Sequence, residues 1–175
     1  MTATLRFEDK IAVLDLGEDE NRFSPEWLDS VDKLLDQALS ESAHALVTTA
    51  TGKFYSNGLD LDWLGANGDK AKWYVQQVQS LFARMLTFPM PTVAAINGHA
   101  IGLGLDIGVL CDIRLAGASA KMASSFVKVG IIPGDGGAWL LPRLVGMARA
   151  TALTFQSCSR RSAMSHSRRS ASSAR

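Results

Sequence analysis

Three short stretches of the chain hold residue types that can do chemistry. The first is Gly102-Leu103-Gly104, with Asp106 just beyond it and Gly108 after that, downstream of a β-branched run ending at Asn97. Glycines at a strand-to-helix turn let the backbone approach a ligand, and the N–H groups at a helix start favour negative charge. Aimed at a developing oxyanion, one such donor is worth ~2.7–4 kcal/mol. As a dinucleotide fingerprint the same stretch fails on spacing. The next strand starts near Cys111, and Lys121-Met122 stands where a ribose-binding carboxylate would be needed. The second stretch is FYSNGLDL, residues 54–61, where Asn57-Gly58 predicts a turn with positive φ and Asp60 a helix cap. The third is GIIPGDGG, residues 130–137, which sets the carboxylate of Asp135 among glycines. Each stretch also has a plain structural reading: tight packing, a turn, a solvated loop carboxylate. His99, in NGHAIG, reads as a turn residue making one backbone hydrogen bond. No GxSxG elbow is present for a serine hydrolase, and no His, Cys and carboxylate cluster has metal-ligand spacing.

The elements that must position these residues follow from periodicity. Alternating or β-branched runs predict strands at residues 2–8, 11–17, 43–51, 92–97 and 111–116. Ser24 and Pro25 read as the N-cap and first position of a helix with Trp27, Leu28, Val31, Leu34, Leu35, Ala38 and Leu39 on its apolar face. A second long helix is predicted to open at Asp69, with an apolar face of Trp73, Val75, Val78, Leu81, Phe82, Met85 and Leu86, and to close before Pro89. GLGLDIGVL reads as a short helix, residues 52–69 as a loop, residues 124–137 as a loop with a short extended piece, and AWLLPRLVG and MARATALTF as helices. Strands alternating with helices make an α/β chain with crossovers.

Composition narrows the function classes. A chain of 175 residues, 47% hydrophobic and 20% charged, is an ordinary globular one and long enough for a single core. Two cysteines, Cys111 and Cys158, cannot build a disulfide framework and suggest a reducing compartment. The first ten residues show no secretory signal, and the charge-free run 85–105 contains Pro89, Pro91 and three glycines, which argues against a membrane span. A cytoplasmic location is the expectation. Five of the 18 basic residues and none of the 17 acidic ones fall in the last twenty positions, so residues 1–155 are acidic on balance. That argues against nucleic acid as a ligand.

Taken together and in order, the motifs resemble the enoyl-CoA hydratase/isomerase (crotonase) family. NRFSPEWL is similar to the family's NALSPEL segment and FYSNGLDL to its FxAGxDL loop. PTVAAINGHAIGLGLDIGVLCDIRLAGASAKM and VGIIPGDGGAWLLPRLVG are similar to its next two signatures. The resemblance implies a superhelix of repeated strand–strand–helix units, trimers or hexamers, and chemistry on an acyl-CoA thioester, with no cofactor beyond the CoA of the substrate. Carried over, it makes the backbone N–H groups of Leu59 and Leu103 the oxyanion hole. It places Arg22, Phe23, Ser56, Asn57, Gly58 and Asp60 along the CoA moiety, with Gly102 and Gly104 shaping the second turn.

Two positions depart from the hydratase pattern, in which two glutamates hold a water molecule. Asp106 falls at the first and Phe126 at the second. Asp in place of Glu withdraws the carboxylate by about 1.5 Å, and Phe126 can be neither acid nor base. Asp135 is one position from where the similar dienoyl-CoA isomerases and 4-chlorobenzoyl-CoA dehalogenases carry an aspartate. Asp106 and Asp135 are therefore the expected acid/base pair, in a pocket made apolar by Phe126, Trp139 and Leu103. Such a pocket would push their pKa values apart.

Residues 156–175, QSCSRRSAMSHSRRSASSAR, have no helical or strand period and predict a disordered tail beyond a core domain of residues 1–155. The resemblance stops near Phe155, and a Ser, Arg and Ala mixture is what GC-rich coding DNA tends to yield in the wrong frame. The expectation is a frameshift product or early stop that leaves the family's C-terminal helical region missing.

Overall fold

The computed structural model describes residues 3–155. Strands β1 (Thr4–Glu8) and β2 (Ile11–Asp15) form an antiparallel hairpin, turned at Asp9 with φ +54°. After β3 (Arg22–Phe23), helix α1 (Pro25–Ser40) starts where its signals lie: Ser24 Oγ accepts the N–H of Trp27 at 3.2 Å, and Pro25 follows. Its buried stripe is Trp27, Leu28, Val31, Leu35 and Ala38, the spacing of one helical face. Fully burying a residue such as Leu35 stabilises the fold by roughly 1.5–3 kcal/mol.

The chain then repeats one theme. Strand β4 (Ala45–Thr49) is followed by short strands β5 (Phe54–Ser56) and β6 (Gly58–Leu59), helix α2 (Leu61–Ala66), a 3₁₀ turn (Gly68–Lys70) and helix α3 (Ala71–Leu86). Strand β7 (Thr92–Ile96) is followed by β8 (His99–Ile101) and α4 (Leu103–Leu110). Strand β9 (Ile113–Ala116) is followed by β10 (Met122–Ala123), a 3₁₀ turn (Phe126–Val129), α5 (Gly137–Val145) and α6 (Met147–Phe155). The long strands form one sheet in the order β1-β2-β4-β7-β9, parallel after the hairpin. The short strands stack beside it as a parallel sheet, β10-β8-β5, and β3 pairs with β6. This is the expected α/β spiral of strand–strand–helix turns.

Three local expectations need correction. Helix α3 opens at Ala71, after the 3₁₀ turn, and its core face is Tyr74, Val78, Leu81, Phe82 and Met85. Trp73, Val75 and Leu86 are exposed, because 100° per residue carries them off that stripe. Residues 52–69, read as loop, contain β5, β6 and α2, pieces too short to show a period. β8 and β10 were hidden for the same reason. The expectations for residues 156–175 lie outside the described residues.

Candidate active site

Two glycine turns build the centre of the site. In the first, Asn57 leads into Gly58, which has φ +79° and is paired with Arg22 of β3. In the second, Gly102 has φ +55° and ψ −124°, a conformation open to glycine and strained for other residues. The carbonyl of Gly102 accepts the N–H groups of Leu105 and Asp106. Leu103, the first residue of α4, has no intrahelical acceptor for its own N–H.

The turns are in contact. A Cβ built on Gly58 would lie 2.6 Å from the Ile101 carbonyl oxygen and 3.0 Å from the Leu103 nitrogen. One built on Gly104 would lie 2.2 Å from the Ser56 carbonyl oxygen. Only glycine permits this approach, and it brings Leu59 and Leu103 to one cleft of about 250 Å³. Arg22, Asn57, Phe126 and Val129 also line that cleft.

Asp106 lies one turn into α4, a helix whose eight residues are all buried, and is itself 1% exposed. Neither of its carboxyl oxygens, nor Asp135 Oδ2, has a conventional partner among the described residues. The two carboxyls interact with each other. Burial pushes Asp106 well above the ordinary value of 3.8, and the neighbouring Asp135 carboxyl adds to the shift. The result is an acid that holds its proton where an exposed Asp would not. Asp135 is oriented by its Oδ1, which accepts the N–H of Gly137 at 3.1 Å.

The expected single apolar pocket is divided. Phe126 and Leu103 line the cleft with Leu59, whereas Asp135 and Trp139 line a second cavity of about 300 Å³ with Phe82, Leu86 and Leu140. The Asp106 carboxyl is buried against the first turn of α5 and lines neither space.

The residues expected along the CoA moiety also separate. Phe23 is fully buried, stacked on Trp27 at 4.6 Å and edge-on to Phe82 at 5.9 Å, so it has no surface to offer a ligand. Ser56 is fully buried too, its hydroxyl spent on backbone groups. Asp60 caps α2 by accepting the N–H of Trp63 at 3.1 Å. Arg22 stands in the cleft but is engaged by Glu20 and Asp62, each at 2.5 Å, so an incoming phosphate must displace carboxylates. His99 opens β8 and meets Phe54 edge-on, its N–H bonded to the Lys53 carbonyl. Among the described residues no group of three or more His, Cys, Asp or Glu is placed to hold a metal ion.

Sequence reasoning missed two residues. Asn21, buried at φ +50°, donates its carboxamide N–H groups to the carbonyls of Gly17, Phe54 and Tyr55. Asn is the residue type that tolerates this left-handed conformation. Tyr74 donates its hydroxyl to the Phe23 carbonyl at 2.5 Å and accepts the Asp60 N–H at 3.2 Å, and burial raises its pKa to about 12. Its place in the α3 stripe was the available signal.

A strand–strand–helix spiral with two glycine turns in contact and a buried carboxyl in the following helix defines an α/β protein of the crotonase fold. A family profile described as enoyl-CoA hydratase/isomerase matches residues 6–166, a stretch that runs past Phe155. The chain belongs to the enoyl-CoA hydratase/isomerase family. It is 42% identical over 118 residues to a probable enoyl-CoA hydratase of Mycobacterium tuberculosis, EchA14, covering 66% of this chain and 46% of that protein. It is 50% identical over 102 residues to enoyl-CoA delta isomerase 3 of Arabidopsis thaliana, covering 55% and 43%. The crystal structure of an enoyl-CoA hydratase from Bacillus anthracis superposes with a TM-score of 0.81 at 28% identity, over 87% of this chain and 62% of that one. The chain thus spans about half the length of these two curated relatives.

Proposed function

We propose that this protein acts on enoyl-CoA thioesters, stabilising the thioester enolate while the double bond is shifted or water is added, in fatty-acid metabolism. The observation that carries the reading is the close approach of the Gly58 and Leu103 backbones, with Leu59 and Leu103 lining one cleft. The N–H groups of Leu59 and Leu103 would hold the thioester oxygen as charge develops on it. The Asp106–Asp135 pair would take the proton from carbon and return it, with Asp106 as the neutral member. Phe126 favours the double-bond shift over hydration, since it stands in the cleft at the position of the second hydratase glutamate and can be neither acid nor base. That chemistry uses peptide donors and one shared proton, with no cofactor besides the CoA of the substrate. The reading extends to a homo-trimer or hexamer in the cytoplasm. No helix among the described residues is long and apolar enough to cross a membrane.

A second reading, an acyl-CoA or subunit binder without turnover, draws on Phe126, 4% exposed in the cleft, and on Asp135 opening to the other cavity. Turnover of crotonyl-CoA and of a 3-enoyl-CoA, with a CoA-release assay alongside, separates the two. Isomerisation of the 3-enoyl-CoA supports the first. Tight acyl-CoA binding with no product from either substrate supports the second.

A further inference from the structure

The aim of the Leu59 N–H depends on how the chain enters Gly58, and a run of buried groups outside the cleft holds the peptide plane between Asn57 and Gly58. Ser56 Oγ accepts the N–H of Gly58 at 3.1 Å and donates to the main-chain carbonyl of Asn21 at 2.7 Å. The Asn21 carboxamide in turn donates to the carbonyls of Gly17, Phe54 and Tyr55, each at 3.1 Å. These bonds tie the segment before β3 to the end of β5, on both sides of the β3–β6 pairing of Arg22 with Gly58 and Phe23 with Leu59. Asn21 and Ser56 are 5% and 0% exposed, so their bonds do not compete with water and breaking one leaves a buried group unpaired. Neither side chain lines the cleft.

We propose that Asn21 and Ser56 are positioning residues that fix the Asn57–Gly58 peptide plane, from which the chain leads through Gly58 to the next peptide, and thereby aim the Leu59 N–H at the thioester oxygen. The proposal rests on the oxyanion reading of the cleft. It assigns to Asn21 a task in the reaction, where its buried left-handed conformation would otherwise mark only a turn.

The test uses a readout that loss of stability alone does not move. A cinnamoyl-CoA carrying an electron-donating ring substituent absorbs further to the red when its thioester carbonyl is hydrogen-bonded. The wild-type chain is expected to bind it with a red shift. Ser56→Ala, which deletes one buried oxygen, and Asn21→Gly, which keeps the backbone conformation open while removing the carboxamide, are expected to bind it with most of the shift lost. In turnover the same variants are expected to lose about 10- to 100-fold in kcat with KM little changed, as a misplaced donor should. A thermal melt by circular dichroism accompanies each variant, and if Asn21→Gly does not fold, Ser56→Ala decides. An undiminished red shift in folded Ser56→Ala overturns the positioning role alone. No red shift in the wild type overturns the oxyanion reading and the proposal with it.

Discussion

The backbone of Gly137 abuts the carboxyl group of Asp106: a Cβ built on the glycine would lie 2.4 Å from Oδ1 and 2.7 Å from Cγ. The first residue of α5 thus presses on a side chain from α4, and the glycine leaves only enough room for the acid. Water is excluded on that side, and burial is the largest cause of the raised Asp106 pKa. A carboxyl kept neutral by its surroundings can donate a proton at a pH where an ordinary Asp is spent.

Asp106 should make the protein less stable as pH rises. Its native pKa lies above the ordinary 3.8, so the native state binds the proton more tightly than the unfolded chain. The stability this contributes is complete below about pH 4 and is lost as pH rises through the native value. Thermal melts from pH 4 to 8 should fall for the wild type relative to Asp106→Asn, which carries no charge to bury. The variant should also lose turnover. Parallel melting curves across that range would show that Asp106 is not held neutral.

Gly137→Ala should displace the Asp106 carboxyl or the start of α5. Overpacking of this kind costs about 1–3 kcal/mol, and the Asp135 contact with the Gly137 N–H should loosen with it. A crystal structure or a pH profile of the variant, set beside wild type, checks this. Unchanged activity would mean that the acid needs no support from α5.

Gly58→Val and Gly104→Val should each damage acyl-CoA binding more than Asp135→Asn does. At Gly58 a side chain meets both positive φ and the Ile101 carbonyl, and at Gly104 it meets the Ser56 carbonyl. The strain at φ +79° alone is of order 1–3 kcal/mol. Isothermal titration with an acyl-CoA measures the ranking, and normal affinity in both glycine variants would make the two turns purely structural.

Tyr74→Phe should cost about 1–3 kcal/mol, because the Phe23 carbonyl and the Asp60 N–H both lose the hydroxyl that joins them. The loss should be concentrated near α2, read as faster amide exchange at residues 60–66. Uniform exchange with wild-type stability would show that the hydroxyl bridges nothing of consequence.

What the residues determine by themselves is local. The Ser24 cap, the α1 stripe, the positive-φ turn at Gly58, the glycine turn before α4 and the long strands were legible, because each depends on backbone sterics or on a period repeated over several residues. The motif order also carried the family. Tertiary structure decided the rest. Tyr74 displaced Trp73 from the core because the phase of α3 was set by what it packs on. Packing set the Phe126 and Leu103 cleft apart from the Asp135 and Trp139 cavity and buried the Asp106 carboxyl against Gly137. Asn21, an ordinary polar residue in the sequence, became the tie between three carbonyls only when β5 folded against it. Exclusion of water and contact between distant segments are properties of the packed chain, and they set the proton on Asp106.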